Sequence, residues 1–444
     1  MGPPTGAPVA LPVVLRRLDL RETGTDDLRR RLPRPAAQTE PPIDEVRSLL
    51  AEVREHGDAA LRSFAARFDG VQLDELRVPQ DEVAAALDEI PAELRDALEA
   101  AHDNIAAYHG AQRGEEVVHH NGALEIRELV RPVDRVGCYV PSALAPLVST
   151  ALMTLVPAKV AGVPEVVLVS AARPDGKVPA AILAAAALAG ADEVYRIGGP
   201  AAIGALAYGT ESIRPVDVIV GPGSARVAQA KREVAGLGLV GVPSAFAGPS
   251  EVVVVADAST PPALAAIDVL LQAEHGPDGL AWLITWDEAV ADAVSAEVAR
   301  LVPASPRREH LEATLAEGGY AVVCDGPEQA LAVSNAIAPE HLELLVDDAA
   351  DLLPLVRHAG AVFCGPLAPA SIGDYIAGPN HVLPTYGSAR FSGALRVDDF
   401  RKHVHVVTVD DKGLAQVADH VVALAEYEGL PAHADSIRLR QGPR

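Results

Sequence analysis

The sequence is poor in cysteine and in aromatic residues. Its three cysteines, Cys138, Cys324 and Cys364, are far apart and form no C-x-x-C pair. This argues against a disulfide framework and predicts a reduced, cytoplasmic protein. Because all three lie in apolar runs, we expect buried and unreactive thiols. With only 4% aromatic residues, the core has to be built mainly from Ala, Val and Leu.

Basic charge is also scarce, with 37 Lys and Arg against 61 Asp and Glu and a formal net charge of -24. Such a surface repels nucleic acid and anionic membranes, so neither is an expected partner. No apolar run reaches the length of a membrane span. Residues 1–12 are rich in Pro and Gly and lack the basic and apolar parts of a signal peptide. We expect a disordered extension there, followed by an arm over residues 13–40.

The chain does contain a regular alternation of short apolar strands with helices. Helical patterns over residues 42–68 and 79–109 are followed by two strand–helix runs, over residues 136–247 and 251–364. This alternation is typical of βαβ units and parallel sheets. We therefore predict an α/β protein with two doubly wound, Rossmann-like domains that face a cleft. The first domain combines residues 41–135 with 248–395, the second spans 136–247, and residues 396–444 form a C-terminal arm.

Two glycine patterns are candidates for binding a phosphate-containing cofactor. The G-x-G-x-x-G pattern that starts at Gly236 matches a dinucleotide fingerprint, but it follows a helix instead of a strand, so its context argues against this function. The Gly-Pro-Gly-Ser turn over residues 221–224 follows a predicted strand and opens a predicted helix. The N–H groups at the start of that helix suit an anion. An ordinary βα turn is the alternative for this segment.

Polar residues that could carry chemistry interrupt the apolar pattern. Gln272 and His275 end a predicted apolar helix, three residues apart and therefore on one face. They could form half of a metal site or a buried hydrogen-bonded pair, and the pair is the more frequent arrangement. Glu340 and His341 precede a predicted strand, in a loop where an imidazole can act as a general base. A solvated loop is the alternative.

Further candidates lie in the C-terminal part of the sequence. Asp374 and His381 occupy a predicted loop with two glycines, which suits a divalent metal or a turn with an Asp N-cap. His433 follows a predicted helix, and His403 and His405 alternate on a predicted strand. A histidine past a helix end is usually a surface residue, and two alternating histidines on a strand seldom bind a metal. Position by itself therefore does not favour a metal site at His433, His403 or His405.

Several motifs together resemble those of the histidinol dehydrogenase family. They are Ala247-Gly248-Pro249-Ser250-Glu251; Gln272-Ala273-Glu274-His275-Gly276-Pro277-Asp278; Pro339-Glu340-His341-Leu342; Gly373-Asp374-Tyr375 with Asn380-His381-Val382-Leu383-Pro384-Thr385; and Glu428-Gly429-Leu430-Pro431-Ala432-His433. Their order and spacing hold over residues 18–439, nearly the whole chain. Several long motifs in order are far more specific than any one of them.

The resemblance implies a homodimeric zinc enzyme of histidine biosynthesis. Such an enzyme oxidises L-histidinol to L-histidine through L-histidinal, in two NAD-dependent steps. The family's zinc ligands correspond to Gln272, His275 and Asp374, with the fourth supplied by the partner subunit's His433. Zinc in this family holds the imidazole and amino nitrogens of the substrate, so these four residues are also substrate-binding positions.

The resemblance also implies roles for residues around the substrate. His341 corresponds to the general base of both oxidations. Glu340 corresponds to the residue that activates water for attack on the aldehyde. Ser250, His381 and Glu428 correspond to further substrate contacts.

On the cofactor side, the sequence departs from the family pattern. Tyr139, a cofactor contact, is retained, but Ser142 and Ala143 stand where the family usually has two glycines. Ala201 replaces a glutamine that contacts the dinucleotide, and Ser224 replaces an asparagine. Tyr139, Ala201 and Ser224 therefore mark the expected NAD surface. The changes could weaken NAD binding or alter the pose of the cofactor.

Three functions remain as hypotheses from the sequence. The complete set of zinc and substrate positions favours a histidinol dehydrogenase. The altered cofactor positions motivate a paralogue that oxidises another amino alcohol or polar hydroxy compound with NAD. A zinc- and imidazole-binding protein without redox activity is the third hypothesis.

Overall fold

Two parallel β-sheets form the framework of the protein, as described by a computed structural model. The structure describes residues 15–24, 27–33, 41–114, 116–122, 124–142, 145–244, 246–276 and 279–442. The predicted extension over residues 1–12 lies outside the described residues, and so do Ala143, Pro277 and Asp278.

The strands of the described chain are β1 (Arg16–Asp19), β2 (Val118–Asn121), β3 (Leu124–Pro132), β4 (Arg135–Tyr139), β5 (Glu165–Val169), β6 (Glu193–Tyr195), β7 (Val218–Val220), β8 (Glu251–Ala256), β9 (Leu280–Thr285), β10 (Gly319–Val323), β11 (His341–Leu345), β12 (Ala361–Cys364) and β13 (Arg401–Val409).

The α-helices are α1 (Leu28–Arg31), α2 (Ile43–Phe64), α3 (Gln80–Glu89), α4 (Ala92–Ala111), α5 (Val148–Ala161), α6 (Ala180–Leu188), α7 (Gly199–Tyr208), α8 (Ala225–Gly236), α9 (Pro262–Ala273), α10 (Glu288–Leu301), α11 (Arg308–Gly318), α12 (Pro327–Ile337), α13 (Ala349–Leu352), α14 (Ala370–Tyr375), α15 (Asp411–Tyr427) and α16 (Pro431–Gln441).

The smaller parallel sheet has four strands in the order β6-β5-β4-β7. Successive residues of its strands face opposite sides, so Val166 and Leu168 enter one hydrophobic core and Val167 and Val169 enter another. Burial on both faces explains why the strand sequences are continuously apolar. The winding reverses between β4 and β7, and α/β sheets usually bind ligands at the carboxyl ends of strands at such a point.

The larger parallel sheet has six strands in the order β1-β10-β9-β8-β11-β12. Its two faces also carry separate cores, with Val252 and Val254 of β8 on one side and Val253 and Val255 on the other. The predicted α/β class with two doubly wound parallel sheets is therefore confirmed. The N-terminal arm contributes the edge strand β1, whose polar sequence carried no strand signal.

The N-terminal helices pack against the four-stranded sheet's helices. α2 contacts α7, α3 contacts α6, and α4 contacts α5. The apolar stripe predicted for the first of these helices is buried, at Val46, Leu49, Leu50 and Val53. We predicted that residues 41–135 belong with the six-stranded sheet, whereas these contacts favour grouping the helices with the four-stranded sheet. The division of the chain into domains stays a prediction.

A third, antiparallel sheet in the order β13-β3-β2 carries the C-terminal segment. The long strand β13 is followed by α15 and α16, which pack against each other. α16 begins at Pro431, a favourable first residue for a helix. This helix was not predicted from the sequence, because the segment after residue 427 is polar and short.

Two expectations about burial and membranes have clear outcomes. Cys138 and Cys324 are buried, as predicted, but Cys364 is exposed because it ends the edge strand β12. The prediction of a buried thiol at Cys364 is wrong.

In the described part of the chain, none of the helices combines the length and the hydropathy that a membrane span requires.

Candidate active site

The predicted polar motifs meet at the amino ends of β8 and β11. These two strands are parallel neighbours, and His341, the first residue of β11, pairs in register with Val252. Catalytic groups in open α/β sheets more often lie at the carboxyl ends of strands. Glu340 lies in the loop before β11 and His341 begins the strand, as the sequence predicted, but this site uses the amino edge of the six-stranded sheet.

Glu340 and His341 are held by the backbone of Glu251. The N–H of Glu251 donates to Oε2 of Glu340 at 2.8 Å, and Nδ1 of His341 donates to the carbonyl of Glu251 at 3.0 Å. Both side chains are buried, with exposed fractions of 6% for Glu340 and 2% for His341. The alternative of two solvated side chains is excluded. A single residue of β8 therefore orients the predicted base and the predicted water-activating group.

Asp374 connects His341 to Gln272. Its Oδ1 lies 3.1 Å from Nε2 of His341, and its Oδ2 accepts a hydrogen bond of 2.9 Å from Nε2 of Gln272. Asp374 belongs to the short helix α14 and lies near its end, so the N-cap alternative is wrong. The structure thus brings the predicted base into contact with one predicted metal ligand, Asp374, which in turn is bonded to a second, Gln272.

The charges of this cluster depend on each other. Burial disfavours the charged imidazole of His341, but the Glu340 carboxylate and the hydrogen bond to Asp374 outweigh it and raise the pKa of His341 well above its usual value. Burial likewise opposes ionisation of Asp374, but the hydrogen bond from His341 and its charge lower the pKa of this carboxyl. Asp374 therefore stays ionised, and both ring nitrogens of His341 can donate.

Gln272 and His275 do not share a helix face. α9 ends at Ala273, so His275 lies in the turn that follows and the predicted helical spacing does not apply. Gln272 is buried and bonded to Asp374, while His275 is exposed. The prediction of a buried Gln–His pair is wrong, because the partner of Gln272 is Asp374.

His381 is fixed by residues of two helices, α14 and α5. Its Nδ1 donates to the carbonyl of Asp374 at 2.8 Å, and its Nε2 lies 3.2 Å from Oγ1 of Thr150 on α5. Burial lowers the pKa of His381, so a neutral ring that accepts the Thr150 hydroxyl is favoured. The sequence did not point to Thr150, because a single threonine within an apolar helix carries no sign of a functional contact.

Glu251 is a second residue that the sequence reasoning missed. It ends the motif Ala247-Gly248-Pro249-Ser250-Glu251, for which the family resemblance implies a role only for Ser250. Only 1% of it is exposed; Oε1 accepts a bond from the Tyr386 N–H, and Oε2 has no partner among the described residues. Burial, together with the nearby Glu340 charge, raises the pKa of Glu251 to about 8. A neutral carboxylic acid therefore stands beside Glu340 near neutral pH.

Glu251→Gln is expected to make the fold more resistant to alkaline pH. Because the pKa of Glu251 is raised, its contribution to stability is fully present below the usual value of 4.5 and is lost as the pH rises through about 8. Glutamine keeps an acceptor for Tyr386 and cannot ionise. The unfolding free energy of the variant minus that of the wild type should therefore increase between about pH 5 and about pH 9. The expected increase is on the order of a few kcal/mol.

Urea unfolding at both pH values measures this difference. The matched control is Glu309→Gln, which removes the charge of an exposed glutamate on α11. An equal shift in the two variants would contradict the assignment to Glu251, and so would the absence of a shift in Glu251→Gln.

The predicted cofactor positions lie at the carboxyl edge of the four-stranded sheet. Tyr139 ends β4, and its hydroxyl accepts a bond from the N–H of Gly199 at the start of α7, the helix that carries Ala201. Tyr139 and Ala201 are both buried in one core cluster. Ser142 donates its hydroxyl to the carbonyl of Ala171.

The turn over residues 221–224 completes this edge. It connects β7 to α8, and the Ser224 side chain caps the helix by accepting from the N–H of Val227. The predicted strand–turn–helix context is confirmed. The three predicted cofactor residues thus flank the point where the sheet reverses its winding, the usual place for a ligand.

The remaining predicted residues lie apart from this cluster or at its border. Ser250 is half-buried and directly precedes Glu251. Glu428 and His433 are exposed on the C-terminal segment and have no hydrogen bond to the cluster within the described part of the chain. His403 and His405 both contact Glu128 on the antiparallel sheet. Both histidines are exposed, and Glu128 is half-buried.

The residues around Asp374 suit a borderline divalent metal such as zinc. The amide oxygen of Gln272, the carboxylate of Asp374 and an imidazole such as His275 are ligand types that zinc accepts. Over the described residues, no three His, Cys, Asp or Glu side chains are grouped closely enough to bind a metal by themselves. A zinc site here would therefore need Gln272 and a ligand from outside this cluster.

Comparison with known proteins decides the family. The family model described as Histidinol dehydrogenase matches residues 32–441. The chain belongs to the histidinol dehydrogenase family. Membership confirms the predicted class of enzyme, an NAD-dependent oxidoreductase of histidine biosynthesis.

Individual members of the histidinol dehydrogenase family match over nearly their full length. The chain is 47% identical to the histidinol dehydrogenase of Parasynechococcus marenigrum, with 88% of this chain and 89% of the relative covered. Identity to the Thermus thermophilus protein of that name is 44%, covering 94% and 99%. The crystal structure of histidinol dehydrogenase from Elizabethkingia anophelis matches with a TM-score of 0.89 at 32% identity, covering 96% and 98% of the two chains.

Proposed function

We propose that the protein oxidises L-histidinol to L-histidine through L-histidinal, with zinc bound and with two molecules of NAD+. The observation that carries this proposal is the buried cluster of Glu340, His341 and Asp374 in a member of the histidinol dehydrogenase family. An oxidation of an alcohol to an acid needs one base that serves twice and one group that activates water. The cluster offers an imidazole and a carboxylate side by side.

His341 is suited to act as the general base of both oxidations. In the first, it takes the hydroxyl proton of the alcohol while hydride leaves for NAD+. In the second, it takes a hydroxyl proton of the hydrated aldehyde while hydride leaves for a second NAD+. The bond from Nδ1 to the Glu251 carbonyl fixes the ring, so Nε2 is the nitrogen that would face the substrate.

Glu340 is suited to activate the water that attacks the aldehyde. Its Oε2 accepts the N–H of Glu251 and lies 3.4 Å from Nδ1 of His341, so the carboxylate is fixed next to the base. The neutral acid of Glu251 beside it adds no competing negative charge near neutral pH. Ser250 and His381, at the border of the cluster, would contact the substrate.

Zinc would be held by Gln272, His275 and Asp374, together with the partner subunit's His433. When bound, it would fix the substrate through its imidazole and amino nitrogens. Asp374 now accepts from Nε2 of His341. Because metal ligation would compete for this carboxylate, it would release Nε2 of His341. It would also weaken one of the two interactions that raise the pKa of this imidazole, so that a neutral ring could take up a proton.

A homodimer is supported by the exposed surface of the C-terminal segment. β13 is exposed along almost its whole length, with Val404, Val406, Val407 and Val409 uncovered. Tyr427 and Leu439, on α15 and α16, have exposed fractions of 93% and 82%. Large exposed apolar areas mark protein interfaces. Glu428 and His433 lie on the same segment and would complete the site of the other subunit.

NAD would bind at the carboxyl edge of the four-stranded sheet, near Tyr139, Ala201 and Ser224. The strand ends, the start of α7 and the start of α8 converge there. Ser142 and Ser224, two of the departures from the family pattern, both use their hydroxyls in hydrogen bonds within the protein. A cytoplasmic location fits the unpaired cysteines.

A steady-state assay tests the function. Purified protein with zinc, L-histidinol and NAD+ is expected to form two NADH per histidinol, followed by absorbance, with L-histidine as product. No NADH formation would contradict the proposal. Faster turnover of another amino alcohol or polar hydroxy compound at equal concentration would instead favour the paralogue, whose motivation is the altered cofactor side.

A further inference from the structure

Lys231, on α8, is a fully buried cation. Its exposed fraction is 0%, and no carboxylate pairs with it in the part of the chain that the structure describes. Its Nζ instead donates to three main-chain carbonyls, those of Gly221 at 2.7 Å, Ser244 at 2.5 Å and Ala247 at 3.3 Å. An ammonium has three N–H donors, and all of them are used.

The three carbonyls belong to two different parts of the protein. Gly221 opens the turn of residues 221–224 at the end of β7. Ser244 and Ala247 belong to the segment that leaves the four-stranded sheet and leads to β8. Gly221 is tied to this segment a second time, because its N–H donates to Oγ of Ser244 at 3.1 Å. A Cβ at Gly221 would collide with the carbonyl oxygen of Tyr139, so the turn is also packed against a predicted cofactor residue.

The segment that contains Ser244 and Ala247 is also linked, through Thr385 and Tyr386, to the residues that hold His341. Oγ1 of Thr385 donates to the carbonyl of Phe246 and accepts the N–H of Gly248. The next residue, Tyr386, donates its N–H to Glu251. Glu251 in turn holds Glu340 and His341. Hydrogen bonds and short stretches of chain therefore join the cofactor turn to the catalytic base. The path runs through Lys231, then the residues around Ala247, then Thr385 and Tyr386, and finally Glu251.

A buried lysine is costly for the fold. Burial, with the charge of Arg232, lowers the pKa of Lys231 to about 7. An apolar side chain of similar volume would avoid this cost but could not gather three carbonyls. A lysine at this buried position therefore indicates that the three carbonyls have to be held together.

We propose that Lys231 is a positioning residue that holds the cofactor turn of residues 221–224 at a set distance from the base His341. This inference rests on the proposed NAD-dependent function, because it takes the ligand of the turn to be the dinucleotide. Without the three hydrogen bonds, the turn and the segment 244–247 separate, and the dinucleotide loses part of its preformed site.

Lys231→Met tests the proposal, because methionine keeps much of the length and loses all three donors. NADH binding, measured by fluorescence titration without substrate, is expected to weaken at least tenfold. KM for NAD+ should rise by a similar factor, while KM for L-histidinol and the zinc content stay unchanged. Ser244→Ala, which removes only the bonds of the Ser244 hydroxyl to the N–H and the carbonyl of Gly221, should weaken NADH binding less.

Val234→Ala is the matched control, since Val234 is buried on the same helix and makes none of these bonds. It should lower the melting temperature without changing the Kd for NADH. If Lys231→Met binds NADH as the wild type does, or if KM for L-histidinol rises equally, the positioning role is overturned while the proposed function stands. If Lys231→Met does not fold, an unchanged Kd in Ser244→Ala overturns it. A wild type that binds no NADH overturns the proposed function as well.

Discussion

Replacing His341 with asparagine is expected to lower kcat by about 10²- to 10⁴-fold, the usual contribution of a general base. The amide of asparagine can still donate to the Glu251 carbonyl, which Nδ1 of His341 contacts at 3.0 Å. It cannot take up a proton near neutral pH, so both oxidations lose their base. Zinc should remain bound, because Gln272 and Asp374 stay in place. Steady-state kinetics and metal analysis of the purified variant measure the two effects.

Two further variants separate this role from general damage. His56→Asn changes an exposed histidine on α2 and should leave kcat unchanged. Glu340→Gln keeps an acceptor for the Glu251 N–H and removes the carboxylate. It should slow the aldehyde step more than the alcohol step, so L-histidinal should build up. A His341→Asn variant with nearly normal kcat would disprove the assignment of the base.

The elements of the fold were largely predictable because they depend on local patterns. The continuous apolar run from Glu251 to Ala256 predicts a buried parallel strand, and β8 has these same bounds. Elements with weak local patterns were missed. β1 and α16 are polar and short, and they form because other parts of the chain supply their partners.

The candidate site was predictable only in part. The motifs identified Glu340, His341 and Asp374, and the structure brings them together. The helical spacing predicted for His275 was wrong, because α9 ends at Ala273, two residues before His275. Glu251 and Thr150 act through contacts with residues far along the chain, to Glu340 and to His381. A pattern in one sequence carries no sign of such contacts.

The edge of the sheet used by the site was also not predictable from strand order alone. The order of apolar segments predicts strands and their directions. It does not predict at which edge of the sheet side chains from distant parts of the chain come together. Here α9 and α14 deliver Gln272 and Asp374 to the amino ends of β8 and β11. The carboxyl edge that we propose for the cofactor is that of the other sheet, which carries Tyr139 and the turn of residues 221–224.

His433→Asn and Gln272→Ala are each expected to abolish most zinc-dependent activity as pure dimers, and to recover it when their subunits are mixed. If His433 serves the partner's site, a mixed dimer has one site with both defects and one site with neither. Dimers purified through two different tags should then show about half of the wild-type activity. His433 is exposed and has no hydrogen bond to Asp374 or Gln272 in the described part of its own chain, as a shared site requires.

Asp374→Asn mixed with Gln272→Ala is the matched control. Both residues belong to the same half-site, since Gln272 donates to Asp374 within one chain. Every site in such a dimer lacks one ligand, so no activity should return. Recovery only in the His433 mixture would support sites built from two subunits. No recovery in either mixture would mean that His433 acts within its own chain, and the exposed apolar surface of β13 would then need another explanation.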